Sequence, residues 1–370
     1  MISSIKGFSS NHGVFILGIP VGVIAVETRA TETIIPADPA SVDSREQKIS
    51  EAGQVWYPNS AFKTAQAIRD FNYGEQLPLI IFANWRGFSG GQSDMYKEIL
   101  KYGSCIVDAL REYQHPIFVY IVGELRGGAW VVLDPSINPS KMEMYAESNS
   151  RGSVLEPEGV VEIKFRKNQM QAAMERLDSK CSSLREDLNS FPDKKEALQR
   201  NLDVREGELS PTYHQIATHF ADLHDGALRM KSKGVIREIV VWNESRRYFY
   251  HRLSRRLAEE DLYRRVSQAF GRSSSPTDDK ELVSKWFDCD GATNDSLSSI
   301  EHEDERFCVW VDKAGPAIKK RLAELEQAQS KRAIMERLSH SKEDVVTESI
   351  KAYLDGLTPE KRQNVLSAFI

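Results

Sequence analysis

The stretch that decides the fold is Leu79–Gly91, LIIFANWRGFSGG, together with the residues that follow it up to Gly159. Its first five residues form a continuous apolar run, which is typical of a strand buried on both faces. The chain then enters a turn rich in Arg and Gly. A second apolar strand ends in Glu124-Leu125-Arg126-Gly127-Gly128, so the same order occurs twice. Glycines let bare backbone N–H groups approach a ligand closely, and such groups suit developing negative charge.

Composition places this chain among soluble globular proteins. It has 370 residues, of which 41% are hydrophobic and 28% charged, enough for two domains or for one domain with an appendage. The net charge of -5 argues against a general nucleic-acid binder. The cysteines are scattered without a C-x-x-C pair, which disfavours a zinc site or a disulfide framework and favours a reducing, cytoplasmic location.

The first fifty residues predict a leader, two strands and a loop. Residues 1–12 carry no clear pattern, and we interpret them as an irregular leader. Gly13–Val26 is almost wholly apolar and resembles a signal-peptide core, but it is too short to span a bilayer and Gly18-Ile19-Pro20 interrupts it. Turn chemistry favours two short buried strands around a Gly-Pro turn. Thr28–Gly53 is polar and is predicted to be mostly loop.

Residues 13–165 alternate strand and helix patterns. Pro58-Asn59-Ser60 precedes an apolar-periodic stretch and predicts a capped helix. Between Gly91 and Gln114 apolar residues recur every three or four positions, which predicts one continuous helix. Such alternation indicates an α/β layer with binding sites at the strand ends. Further strands are predicted at Ile117–Val122, Trp130–Leu133 and Val160–Phe165.

From Arg166 onward the composition changes to that of long helices. Residues 166–270 are predicted to be a long-helix extension, 271–298 a flexible linker, and 299–370 a helical C-terminal region with a break near Gly356. Five arginines between Arg246 and Arg256 alternate with aromatic residues. Because acidic residues follow them closely, we interpret this segment as a salt-bridged helix with a buried aromatic face rather than as a nucleic-acid site.

Four features are candidates for chemistry. Arg86 is placed to hold a carboxylate or phosphate, and a structural salt bridge is the alternative. Gly127-Gly128 offers two amides for an oxyanion, or simply a tight turn. Of Glu156 and Glu158, which flank Pro157, at most one is expected to face a site. Steps of five residues keep His214, His219 and His224 off one helix face, so no metal site is predicted there.

Six segments together resemble one family, the carboxyltransferase domain of eukaryotic multidomain acetyl-CoA carboxylase. The resemblance runs from about Gly18 to the C-terminus and is strongest up to Arg166. It persists in Phe220-Ala221-Asp222-Leu223-His224-Asp225. The six segments are Pro36–Ala40, Gly53–Trp56, Asn59–Ala67, Asn84–Gly91, Gly123–Trp130 and Glu143–Ala146.

This resemblance implies a fold and a set of site residues. The fold is α/β and crotonase-like (ClpP/crotonase), built of repeated ββα units, with a mainly helical C-terminal extension. Residues 13–165 correspond to the second, C-terminal subdomain of the family's carboxyltransferase. Arg86 then recognises the carboxyl group, and Gly127 and Gly128 supply amides to the biotin carbonyl oxygen. Gly90, Phe88 and Glu156 are implied to bind substrate in the cleft.

The implied activity is carboxyl transfer from carboxybiotin to acetyl-CoA, giving malonyl-CoA for fatty acid biosynthesis. This chemistry needs positioning and charge stabilisation but no protein nucleophile. The carboxybiotin would be carried on another domain or chain, with acetyl-CoA and the biotin carrier as substrates. The resemblance also implies a homodimer or association with full-length carboxylase, and no metal, nucleic acid or membrane span.

Because the family's first half-domain, biotin carboxylase and biotin carrier have no counterpart in this sequence, we expect an enzyme that is incomplete on its own. The alternative is a catalytically inactive short paralogue that binds full-length acetyl-CoA carboxylase and modulates its assembly.

Overall fold

The computed structural model describes residues 9–271, 276–291 and 302–367. The chain divides after Tyr250 into two compact units. The first unit contains a seven-stranded sheet with its helices, and the second is helical.

The strands all lie in the first unit, within the residues described. They are β1 (Ser9–Ile16), β2 (Ile19–Val26), β3 (Thr31–Ile35), β4 (Gln47–Glu51), β5 (Val55–Trp56), β6 (Leu79–Trp85), β7 (Gly87–Phe88), β8 (Ile117–Arg126), β9 (Met142–Ala146), β10 (Arg151–Ser153) and β11 (Glu238–Ile239). The main sheet has the order β1-β2-β6-β8-β9-β11, and β10 pairs with the end of β8. β1 is antiparallel to β2, and the other pairs are parallel.

Helices cover the sheet, and their bounds follow the chain. They are α1 (Pro58–Arg69), α2 (Gln92–Tyr96), α3 (Ile99–Arg111), α4 (Gly127–Val132), α5 (Pro157–Lys164), α6 (Lys167–Leu177), α7 (Ser179–Ser190), α8 (Lys195–Leu223), α9 (Ala227–Ser232), α10 (Ser245–Phe270) and α11 (Pro276–Gly291). A π-helical turn, Asp70–Gly74, continues α1. Four more helices span Glu303–Lys313, Gly315–His340, Glu343–Asp355 and Pro359–Ser367.

Both faces of the sheet are buried, which explains the unbroken apolar runs of β6 and β8. On one face, Ile81 and Val119 pack with residues of α1 and α3, such as Ile68 and Ile106. The other face is an aromatic layer in which the ring centroids of Tyr120 and Phe249 lie 5.1 Å apart. The Tyr120 hydroxyl donates to the carbonyl oxygen of Val240 at 2.7 Å. The predicted α/β class, with crotonase-like strand–helix units and helices beyond them, is confirmed.

The N-terminal hairpin is confirmed, but its bounds and its neighbour differ from expectation. β1 begins at Ser9, so the predicted leader of residues 1–12 is too long, and its first eight residues lie outside the described chain. The predicted loop Thr28–Gly53 contains a second hairpin, β3–β4, whose alternating Thr, Ile and Lys residues pair from Thr31 opposite Glu51 to Ile35 opposite Gln47. Within the described residues, no helix is long and apolar enough to cross a bilayer.

Three local predictions are wrong. The helix expected between Gly91 and Gln114 is two helices, because Glu98 adopts a left-handed conformation with φ 63°. The strand expected at Trp130–Leu133 is part of α4, and that expected at Val160–Phe165 is mostly α5, where Pro157 occupies the first helical turn. Short apolar runs fit a buried helix as well as a strand, and helix-compatible starts at Gly127 and Pro157 decide between them.

The predicted division after Arg166 also differs. Helices fill residues 167–223, but β11 joins the main sheet beside β9, so this part of the extension belongs to the first unit. The predicted linker 271–298 contains α11, and its residues 272–275 and 292–298 lie outside the described chain. The break near Gly356 is confirmed by helices that end at Asp355 and restart at Pro359.

The second unit has its own core. Trp310 and Phe307 pack with residues of α10 and α11, including Val266 and Phe287. Asp290 accepts hydrogen bonds from the Trp310 indole at 2.9 Å and from Arg321 at 2.7 Å. The arginine-rich segment is salt-bridged as expected: the Arg255 guanidinium reaches Glu259 at 2.8 Å and Asp304 at 3.1 Å.

Gly152 of β10 provides a test of packing in the first unit. A Cβ on Gly152 would lie 2.5 Å from the Trp130 ring and 2.6 Å from the Met230 sulfur, and both side chains are buried. We expect Gly152→Ala to lower the free energy of unfolding by about 1–3 kcal/mol through overpacking. Urea denaturation of the full chain measures this change. Gly207→Ala in α8, where an added Cβ meets nothing within 4 Å, is the control and should raise stability by about 0.5–1 kcal/mol. An unchanged midpoint for Gly152→Ala would contradict the packing.

Candidate functional site

The two Arg- and Gly-rich turns lie side by side. β6 and β8 are neighbouring parallel strands, so their carboxyl ends reach the same edge of the sheet. Arg86 follows β6, and Gly127 follows β8 with φ 58°, a conformation that favours glycine. A Cβ on Gly127 would lie 2.9 Å from the Arg86 carbonyl oxygen. The close approach of these turns therefore depends on Gly127.

A short strand fixes the first turn. β7 pairs with β5, the Arg86 N–H donates to the Gln54 carbonyl oxygen at 2.8 Å, and the Ser89 N–H donates to that of Trp56 at 2.8 Å. Trp56 stacks on Trp85 with ring centroids 4.4 Å apart. These contacts hold the backbone on both sides of Arg86 while its side chain remains 55% exposed.

Arg126, the last residue of β8, lies at the centre of an ion network. Its side chain is only 2% exposed. Its guanidinium donates to Asp225 at 2.7 Å, to Asp222 at 3.0 Å and to Glu124 at 3.1 Å. Asp222 belongs to α8 and Asp225 follows it, so the network joins the sheet to residues almost a hundred positions later. A buried guanidinium requires such partners, because an unpaired charge in the interior is very costly.

The backbone near Asp225 strengthens the same junction. The Gly152 N–H donates to the Asp225 carbonyl oxygen at 2.9 Å, and the Arg151 guanidinium donates to Asp222 at 3.1 Å. Burial raises the pKa of Asp225, although the hydrogen bond from Arg126 opposes that rise. Burial by itself would lower the pKa of Arg126, but hydrogen bonding to Asp225 and Glu124 outweighs it and raises the value.

A cavity of about 560 Å³ opens beside these residues. One wall is formed by the ends of β6 and β8, a second by the start of α5, and a third by α8. Its lining residues are Arg86, Glu124, Arg126, Glu156, Pro157, Glu158, His214, Gln215, Thr218, His219 and Asp222. The volume falls within the usual range for small-molecule sites. No three His, Cys, Asp or Glu side chains in the described ranges are grouped to hold a metal ion.

Two of the six predicted site residues line this cavity, namely Arg86 and Glu156. Gly127 and Gly128 lie beside it, in the first turn of α4. Phe88 packs rather than faces the cavity: its ring centroid is 5.0 Å from that of Trp56, and a Cβ on Gly128 would lie 2.7 Å from the Phe88 ring. Gly90 is exposed in the loop before α2.

The carboxylates and histidines differ from expectation. Both Glu156 and Glu158 line the cavity, because they cap and begin α5 rather than lie in an extended segment. His214 and His219 also line it, from two sides of α8, whereas the His224 ring packs on Phe220 with centroids 4.3 Å apart. The three histidines therefore do not share one face, as predicted, but two of them do reach the site.

Sequence reasoning missed Arg126, Glu124 and Asp222. An arginine at the end of an apolar strand needs acidic partners, and Asp222 and Asp225 share one side of the chain at i and i+3. Those two signals identify the ion pairs in principle, but only the fold shows that they meet.

The Arg126 network predicts a pH-dependent loss of stability. Arg126→Gln leaves Asp225 buried without its cation, so we expect the free energy of unfolding to fall by about 3 kcal/mol or more at neutral pH. The variant raises the pKa of Asp225 further above its unfolded value. Stability gained from its protonation is then present at low pH and lost as pH rises through the folded pKa. The loss measured by denaturation should therefore shrink between pH 8 and pH 5.

Two variants control this test. Asp222→Asn, whose side chain is 32% exposed, should cost less than about 1 kcal/mol. Adding Asp225→Asn to Arg126→Gln should recover part of the lost stability at neutral pH, since it removes the unpaired charge. A loss that is the same at every pH would contradict this account.

The chain was compared with known proteins. Residues 15–257, about two thirds of the chain, match the family described as "Carboxyl transferase domain". The mitochondrial acetyl-CoA carboxylase of Saccharomyces cerevisiae (strain YJM789) is 56% identical over 304 residues, which cover 80% of this chain and 13% of that protein. Acetyl-CoA carboxylase 1 of Arabidopsis thaliana is 44% identical over 358 residues, covering 95% of this chain and 16% of that protein.

The chain thus spans about one seventh of the length of these relatives. Among solved structures, the beta subunit of P. aeruginosa geranyl-CoA carboxylase is similar with a TM-score of 0.42 and 16% identity, over 67% of this chain and 36% of that subunit. By the extent of the family match, the chain belongs to the family of carboxyl transferase domains.

Proposed function

We propose that this chain forms the carboxyl- and biotin-binding part of an acetyl-CoA carboxylase carboxyltransferase. In this reaction a carboxyl group passes from carboxybiotin to acetyl-CoA, giving malonyl-CoA for fatty acid biosynthesis. The observation that carries the proposal is the position of Arg86. It is an exposed guanidinium on a fixed backbone, at the mouth of a cavity and next to the Gly127-Gly128 turn, in a chain of the carboxyl transferase family.

Arg86 has the chemistry that a carboxyl group requires. Its planar guanidinium can form two parallel hydrogen bonds to one carboxylate, which fixes both position and orientation. The pairing of β7 with β5 limits the movement of the backbone that carries it. A guanidinium held in this way binds a carboxyl group with little loss of conformational entropy.

The Gly127-Gly128 turn supplies the second element. The first N–H groups of an α-helix have no acceptor within the helix, and they can stabilise an oxygen on which negative charge develops. Space at this turn is narrow, since a Cβ on Gly128 would collide with the ring of Phe88. In the proposed role these amides hold the carbonyl oxygen of biotin.

The cavity is suited to a small group delivered from another domain or chain. Its size and its open rim fit a compact ring system on a flexible arm. Carboxybiotin, when bound, supplies the carboxyl group and accepts the proton from the acetyl methyl group. Glu156 is proposed to contact substrate at the rim, and Gly90 and Phe88 to border the approach. The acyl-CoA is proposed to be held by a further domain or by a partner chain.

An apolar stripe supports a partner at this rim. Ile216, Phe220 and Leu223 occupy one side of α8, and they are 60%, 52% and 57% exposed. Large exposed apolar patches on soluble domains mark interaction sites. We therefore propose that a second copy, or a full-length carboxylase, covers this side of α8. Cytoplasmic localisation stays a prediction, since the name of one relative above includes "mitochondrial".

Activity tests the proposed role of Arg86. Malonyl-CoA decarboxylation in the presence of free biotin should be measured for the full chain, alone and with added carboxylase. We expect Arg86→Gln to lower kcat/KM by about a hundredfold or more, because the carboxyl group loses its charged partner. Gly127→Ala should lower kcat similarly, since it strains the turn at φ 58°.

Arg111→Gln provides the matched control. Arg111 lies on α3, 63% exposed and paired with Asp108, so the change removes the same charge away from the cavity. Full activity in Arg86→Gln would refute the proposal. A chain that is inactive but changes the rate or the assembly of added carboxylase would support the non-catalytic binding module instead.

Association tests the partner surface. We expect the chain to form dimers, or complexes with carboxylase, at micromolar concentration by light scattering after size exclusion. Ile216→Asn with Leu223→Asn should weaken association at least about tenfold, since it makes the stripe polar. Val204→Asn is the control, because Val204 is 63% exposed on the same helix but does not line the cavity or the stripe. A monodisperse monomer without affinity for carboxylase would contradict the proposed surface.

A further inference from the structure

We infer that Glu124 is a specificity-determining residue that competes with the carboxyl group of the ligand for Arg86. The inference rests on the proposed function, in which Arg86 receives that carboxyl group. It adds that the site contains its own carboxylate in the place from which a ligand must displace it.

The geometry of Glu124 places it between two arginines. Its Oε2 accepts from Nε of Arg126 at 3.1 Å, and its Oε1 lies 3.8 Å from Nη2 of Arg86. Arg126 is buried and held by Asp222 and Asp225 as well, whereas Arg86 is more than half exposed. One oxygen of the carboxylate is thus anchored, and the other faces a mobile cation.

The backbone of Glu124 is fixed at an irregularity of the sheet. The pairing of β6 with β8 shifts register between Ala83 and Trp85, and Asn84 fills the gap. The Asn84 Oδ1 accepts from the Glu124 N–H at 2.9 Å and from Nε2 of Gln54 at 2.7 Å. A Cβ on Gly123 would lie 2.4 Å from that oxygen, so the contact depends on glycine before Glu124. Glu124 is therefore held in place independently of Arg86.

The charges around the cavity give this contact its consequence. Glu156, Glu158 and Asp222 line the cavity together with Glu124, so an anion enters against several carboxylates. Arg126 is already satisfied by three of its own partners. Attraction for an anion then comes from Arg86, and Glu124 reduces it. A ligand carboxylate that forms two hydrogen bonds with Arg86 outcompetes a single 3.8 Å contact, whereas a monodentate anion gains little.

The test is the affinity of a simple carboxylate for the full chain. Malonate is titrated and the backbone amide signals of Gly87 and Gly127 are followed by NMR. We expect Glu124→Gln, which keeps the side-chain shape and an acceptor for Arg126, to lower the Kd for malonate about two- to fivefold. Loss of a merely structural residue weakens binding, so a gain in affinity separates the two roles. Thermal unfolding of the variant verifies that it is folded.

A double-mutant cycle links the gain to Arg86. In an Arg86→Gln background, Glu124→Gln should leave the Kd for malonate unchanged, because the competition has been removed. Glu158→Gln removes one charge from the same cavity and serves as the matched control, with a smaller expected gain. Equal gains from Glu158→Gln and Glu124→Gln would overturn the inference in favour of a general charge effect.

Weaker malonate binding by Glu124→Gln, or no binding by either protein, would also overturn it. The proposed function is judged separately by the loss of decarboxylation in Arg86→Gln. If that loss occurs while Glu124→Gln gives no gain, the role of Arg86 stands and that of Glu124 fails. If Arg86→Gln retains full activity, the proposed function fails whatever malonate does.

Discussion

The structure of the site depends on one buried guanidinium. Arg126 ends β8 with a side chain that is 2% exposed, and carboxylates from β8, α8 and the turn after α8 neutralise it. The cost of burying a charge is offset only when good partners surround it. The interaction therefore fixes the end of α8 against the end of β8, and with it the third wall of the cavity.

Two arginines at the ends of neighbouring strands have opposite environments. Arg126 points among carboxylates and is held, whereas Arg86 follows a strand that ends in a glycine turn and stays exposed. Glu124 contacts both. This difference separates structure from recognition within a few ångströms, because a guanidinium whose donors are all paired has none left for a ligand.

The helical segment after Arg166 is part of the site rather than an appendage. α8 contributes His214, His219 and Asp222 to the cavity, and the later strand β11 extends the main sheet beside β9. The compact unit consequently ends at Tyr250 and not where the composition changes. Composition reports solvent exposure along the chain, while unit boundaries depend on which distant segments pack together.

The sequence by itself determined the apolar runs of β6 and β8, the helix of Pro58–Arg69 and the juxtaposition of two glycine turns, because each follows from local periodicity or from parallel pairing. It left α4 and α5 indistinguishable from strands, since short apolar runs suit either. Only the tertiary structure decided that Arg126 is buried with Asp222 and Asp225, and that both Glu156 and Glu158 face one cavity. Such contacts join residues far apart in the chain, and no local pattern encodes their distance.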